Sequence, residues 1–182
     1  MHKPFFIKSL LLFFFLTIPF LAKAQETMTT KDGNQYKATN NWNFISKNYT
    51  YSGIVEVQIA KIEKGGIIKL GVDVSNDTLY IGDTVYLVLD DGSFIVCTDK
   101  GIREKVGKKT IAYYYLTITE MNKLKMLALT DVRFRIKGNE EAFGSRSGHF
   151  TGTNKKSILE TFGTPEEAKT YDTTSEIKSL YN

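Results

Sequence analysis

The chain has 182 residues and a formal net charge of +4, a length that suffices for one packed domain. Lys3, Lys8 and Lys23 fall in the first two dozen residues with no acidic residue among them, so the rest of the chain carries only +1, too little for a basic nucleic-acid footprint. The single cysteine, Cys97, excludes an intrachain disulfide, and stability has to come from a packed core.

Met1 to Ala24 has the order of a secretory signal peptide: a cationic start, an apolar run from Ser9 to Leu21, and Ala22-Lys23-Ala24 ahead of Gln25. The apolar stretch falls short of the roughly 20 residues that a bilayer core requires, and Pro19 interrupts its end. The expectation is a leader cut after Ala24, not a transmembrane anchor, and an exported product, periplasmic or secreted. No cysteine follows the cut, so a lipid-anchored form is not indicated.

Gln25 to Asn41 is polar and has no apolar period, so residues 25–48 read as a flexible lead-in to a β core over 49–137. Tyr49, Tyr51, Val55, Val57 and Ile59 recur at every second position, while Ile54, Ala60 and Ile62 occupy the other face; this strand is expected to be covered on both sides. Gly65-Gly66 ends it, and Ile67 to Val74 alternates cleanly with Ile68, Leu70, Val72 and Val74 to one side. After a turn at Asn76-Asp77 come a short strand at Leu79–Ile81 and a second turn at Gly82-Asp83. Val85–Leu89 and Phe94–Cys97 flank Asp90-Asp91-Gly92-Ser93 and predict a β-hairpin, because Asp-Gly tolerates the positive φ of a tight turn.

Asp99 to Lys109 reads as a charged loop, and Thr110 to Ile118, with Tyr113, Tyr114 and Tyr115, as a strand. Thr119 is expected to cap a two-turn helix whose Met121, Leu124 and Leu127 form one stripe. Asp131 to Lys137 sets Val132, Phe134 and Ile136 against Arg133, Arg135 and Lys137, one face apolar and the other basic. Residues 138–182 read as a polar loop to Asn154, then short helices starting at Ser157, at Thr164 and near Thr173. About seven short strands joined by tight turns predict an all-β fold, an antiparallel sandwich or open barrel, with one inserted helix and short C-terminal helices.

The residues that carry chemistry are few. His149 is the only histidine after the leader, and Gly144-Ser145-Arg146-Ser147-Gly148 has arginine where a nucleophile elbow needs serine. A Cys97–His149 dyad is disfavoured because Cys97 lies inside a strand. One His and one Cys fall short of a zinc site, and Asp73–Asp77 and Asp90-Asp91 with Asp99 read as turn chemistry, not calcium loops. Two features suit a binding role: a basic loop with Lys105, Lys108 and Lys109 for an anionic partner, and Tyr113 with Tyr115 on one strand face for stacking on a sugar ring. Asp77-Thr78, Asp83-Thr84 and Asp172-Thr173 resemble acceptor pairs of bacterial O-glycosylation, a pattern that turn and cap duty explains equally well.

From Gly53 to Lys137 the chain resembles the small, uncharacterised exported β-sandwich proteins of Gram-negative bacteria. The Asp91-Gly92 hairpin, the strand end Tyr115-Leu116-Thr117-Ile118-Thr119, the Met121-x-x-Leu124 helix and Asp131-Val132-Arg133-Phe134 carry that resemblance. It implies fold and compartment and brings no activity with it. The expected function is a non-enzymatic binding or scaffold module of the cell envelope with no cofactor, meeting another envelope protein or a glycan and no nucleic acid. The alternatives are a small secreted hydrolase using Asp90, Asp91, Asp99 and His149, and a partner subunit docking through its C-terminal helices.

Overall fold

A computed structural model describes residues 26–46, 53–138, 147–156 and 170–182. The expected leader, Tyr49, Tyr51 and the expected helix starts at Ser157 and Thr164 lie outside these residues. In chain order the elements are β1 (Thr27–Thr29), β2 (Gln35–Lys37), β3 (Trp42–Ser46), β4 (Ile54–Ile62), β5 (Gly65–Asp73), β6 (Tyr80–Leu89), β7 (Phe94–Cys97), β8 (Arg103–Val106), β9 (Lys109–Leu116), α1 (Ile118–Leu124), β10 (Leu129–Lys137), β11 (Gly148–Thr153) and α2 (Thr173–Ser179). Among the described residues no helix is long and apolar enough to cross a membrane.

The fold is all-β, as the alternating pattern predicts, but it is neither seven-stranded nor a two-sheet sandwich. One antiparallel sheet of nine strands, ordered β7-β6-β10-β11-β3-β4-β5-β9-β8, curls on itself. Its inner face is the core, in which Val55, Val57 and Ile59 meet Ile68, Leu70, Leu87, Tyr114, Val132 and Phe134. The two halves of the sheet meet where β11 pairs β3 through only Gly152↔Ser46 and Thr153↔Ile45. At that join a Cβ on Gly152 would stand 2.9 Å from Val55 Cβ, so glycine is what lets β11 close onto the β3–β4 face.

The lead-in is a structured part of the fold, in contrast to the flexible segment expected. β1 and β2 form a hairpin over the outer face of β4, β5 and β9, and β3 is a central strand with Trp42 and Phe44 fully buried. Met28 and Ala38 seal a second cluster with Ala60, Ile67, Ile111 and Tyr113. This is why β4 is apolar on both faces, as its sequence indicates.

Four further boundaries shift. The Gly82-Asp83 turn is instead a bulge inside one ten-residue strand: Asp83 has φ of +62°, and the β6–β10 register slips between Arg133 and Arg135. The charged loop contains the edge strand β8, and charge on an edge is the usual guard against further pairing. The polar segment after Gly138 contains β11. The inserted helix starts at Thr117, two residues earlier than expected, because Glu120 sits three residues on: Thr117 Oγ1 accepts the Glu120 N–H at 3.2 Å and the Glu120 carboxylate accepts the Thr117 N–H at 2.6 Å. At the C-terminus α2 begins at an Asp172 cap and packs Ile177 into the core.

Candidate functional site

The residues expected to bind a partner do not come together. Tyr113 is buried under the β1–β2 hairpin, and its hydroxyl donates to Glu104; burial first, and then this bond, pushes its pKa up. Tyr115 remains 44% exposed. Lys109 is tied to Glu56 across the sheet. Lys105 pairs with Thr110 and so points to the opposite face from Lys109, reaching the Asp77 carboxylate at 3.3 Å. Lys108 is exposed in the β8–β9 turn. Three of the five therefore hold the fold together.

Two of the hydrolase candidates, Asp91 and Asp99, are similarly occupied. Asp91 caps its own hairpin turn by accepting the Ser93 N–H at 2.8 Å, and Asp99 takes Arg103 and the Asp83 N–H, the latter at 2.9 Å. Cys97 pairs with Val85 and faces the core, where desolvation pushes its thiol up to about 12, whereas His149 pairs with Arg135 on the outer face. Nucleophile and base thus stand on opposite sides of the sheet. Among the described residues no three metal-ligating side chains converge. Of the Asp-Thr pairs, Thr173 is fully buried and accepts the Leu129 N–H at 2.9 Å, which leaves no hydroxyl for a glycan.

The structure shows instead a groove of about 680 Å³ on the outer face of β7, β6, β10 and β11. Cross-strand pairing builds it in rows: Tyr86↔Arg133 continues to Arg133↔Thr151, while the next row holds Phe94↔Val88. Tyr86 and Phe94 meet edge to face, their centroids 5.9 Å apart, and stay 42% and 58% exposed. Such a pair leaves apolar ring area exposed to solvent, which makes this face the candidate site. Comparisons with protein-family models, with curated proteins and with solved structures yield no match.

The groove's cations divide into two kinds. Arg135 and Lys137 converge on the bulged Asp83, at 3.1 and 2.9 Å. The side chain of Arg133, one pleat along from Arg135, has no ion-pair or hydrogen-bond partner among the described residues. The bulge is what aims Asp83: its N–H is held by Asp99 while its carboxylate reaches β10. The signal for this site is present in the sequence. Val85-Tyr86-Leu87-Val88-Leu89 is apolar at every position, so the hairpin exposes as well as buries apolar groups, and β10 carries the arginines. That β6 and β10 are neighbours is a long-range fact that no local pattern shows.

Asp83 gives a pH test. The Lys137 hydrogen bond, followed by the charges of Lys137 and Arg135, holds its carboxyl below the ordinary carboxylate value of 3.8. A depressed folded-state pKa contributes stability that is present above the unfolded value and lost as pH falls through the folded one. Thermal melts of Asp83→Asn should therefore lie below the parent at pH 6 and converge on it below pH 3.8. A constant gap across that range would show that the effect is not electrostatic.

Proposed function

We propose that this chain is an exported, non-enzymatic binding module of the cell envelope, periplasmic or secreted, that takes its partner on the groove between β7 and β11. The observation that carries the reading is the outward Tyr86–Phe94 pair beside Arg133, whose side chain has no partner among the described residues, an exposed aromatic and cationic surface built on strands of the main sheet. The leader pattern of Met1 to Ala24 supports the compartment. Against the hydrolase alternative, Asp91 and Asp99 have structural partners and do not line the groove.

The test has two parts. Fractionation of producing cells followed by mass measurement should find the protein outside the cytoplasm and lacking the residues before Gln25. Amide chemical-shift mapping against a panel of envelope glycans and peptides should place any perturbation on residues 84–88, 94–96, 131–135 and 149–151, and the double variant Tyr86→Ala with Phe94→Ala should abolish it. Cytoplasmic retention with the leader intact, or a ligand mapping to another face, would overturn the reading.

A further inference from the structure

We infer that the ligand of this groove is an acidic saccharide, a pyranose chain bearing carboxylates, with a sugar ring against Tyr86 and Phe94 and a carboxylate on Arg133. The inference rests on the reading of this face as the binding face and goes beyond it by naming the chemical class.

Three features of the groove point the same way. The first is shape: it lies open along a strand face, and its lining runs from Phe94 on β7 through Tyr86 and Arg133 to Thr151 on β11, across four strands, about 14 Å at an interstrand spacing of about 4.8 Å. That suits a chain of two or three rings lying along the surface, whereas a compact apolar molecule would want enclosure.

The second is the alternation of ring and donor. A pyranose has an apolar C–H face and a rim of hydroxyls, so it needs an aromatic surface with hydrogen-bonding groups at its edge. Tyr86 and Phe94 supply the surface, and Thr84, Thr151 and His149 line the same groove. An acyl chain would leave these donors unpaired.

The third is charge. Among the described residues the acidic side chain that lines the groove, Asp83, is already engaged by Arg135 and Lys137. Asp131, on the same face of β10, accepts the Thr153 hydroxyl at 2.6 Å and lies outside the lining. Arg133 is left with a planar fork and no partner among the described residues, and that fork matches a carboxylate through two parallel hydrogen bonds. A polyanion such as nucleic acid would need many such cations, and the chain beyond its first 24 residues carries only +1.

The experiment is titration calorimetry with amide-shift mapping, using the chain expressed from residues 1–182. The probes are a panel of uronate oligosaccharides (galacturonate, glucuronate and mannuronate oligomers), each with its methyl-esterified form. At least one uronate oligomer should bind and shift the groove amides. Esterification and Arg133→Gln should each weaken it by about tenfold or more, Arg133→Lys by less, and Lys108→Ala not at all. Retained far-ultraviolet circular dichroism in each variant separates lost contact from lost fold. No binding across the panel, equal binding of acid and ester, or an Arg133→Gln variant of unchanged affinity would each overturn the inference. A neutral glycan or a peptide that shifts the same amides would overturn it while leaving the binding face standing. A uronate that shifts amides elsewhere would remove both.

Discussion

Replacing Trp42 by alanine is expected to cost about 3–5 kcal/mol, the range for removing a fully buried tryptophan, and to lower the urea midpoint without changing the shape of the transition. Trp42 is wholly inaccessible, stacks on Phe44 at 6.2 Å between centroids, and sits on β3, the strand through which the two halves of the sheet are joined. Its indole Nε1 has no hydrogen-bond partner among the described residues, and an unsatisfied buried donor is itself unfavourable. Phenylalanine at the same position removes that donor and keeps most of the ring volume, so Trp42→Phe should stay within about 1.5 kcal/mol of the parent. Trp42 is the only tryptophan, so the variants are followed by circular dichroism. A Trp42→Ala midpoint within error of the parent would remove β3 from the core.

How much of this was legible in the sequence depends on the range over which each feature is encoded. The Asp90–Ser93 hairpin, the alternation of β10 and the two-faced burial of β4 are written in neighbouring residues, and the structure reproduces them; β5, expected to alternate, is instead buried on both faces, because the β1–β2 hairpin covers Ile67. β8 and β11 are hidden because their residues suit another purpose: Arg103-Glu104-Lys105 guards an edge, and Gly152 of β11 permits close approach to Val55. Curling rather than splitting into two sheets is decided by the two-residue β11–β3 ladder, which has no local signature.

The proposed binding face follows the same rule. Tyr113 and Tyr115 look like a platform in isolation, yet the β1–β2 hairpin, drawn from the polar lead-in, covers Tyr113. Tyr86 and Phe94 look like ordinary hairpin residues, and become a site only because β10 brings Arg133 alongside. Asp83 shows how a local reading misleads. Gly82-Asp83 has turn chemistry, and that chemistry is used to make the bulge that lets one carboxylate reach two cations on the next strand.

Ending the chain at Asn154 should abolish cooperative unfolding, not merely detach a docking element. The segment from Tyr171 onward is woven into the sheet. Asn154 donates through Nδ2 to the Leu129 and Tyr171 carbonyls at 2.9 and 3.0 Å and accepts the Tyr171 N–H at 2.8 Å. Tyr171 stacks on Phe44, and its hydroxyl accepts the Asn43 N–H at 3.3 Å. Thr173 satisfies the Leu129 N–H, while Ile177 and Leu180 are buried.

Each of those two aliphatic side chains is worth about 1.5–3 kcal/mol, and the stranded polar groups on β10 and Asn154 add about 1–3 kcal/mol each. The sum approaches the 5–15 kcal/mol that holds a typical domain folded. A helix that spends its apolar side inside its own chain has little left for a partner, so a pull-down with the truncated form would report unfolding. Ile177→Ala is the finer test: a loss of about 2–5 kcal/mol with binding at the groove intact above the lower melting point places α2 in the scaffold. A truncated chain that melts at the parent temperature would make this segment an appendage, available to another protein after all.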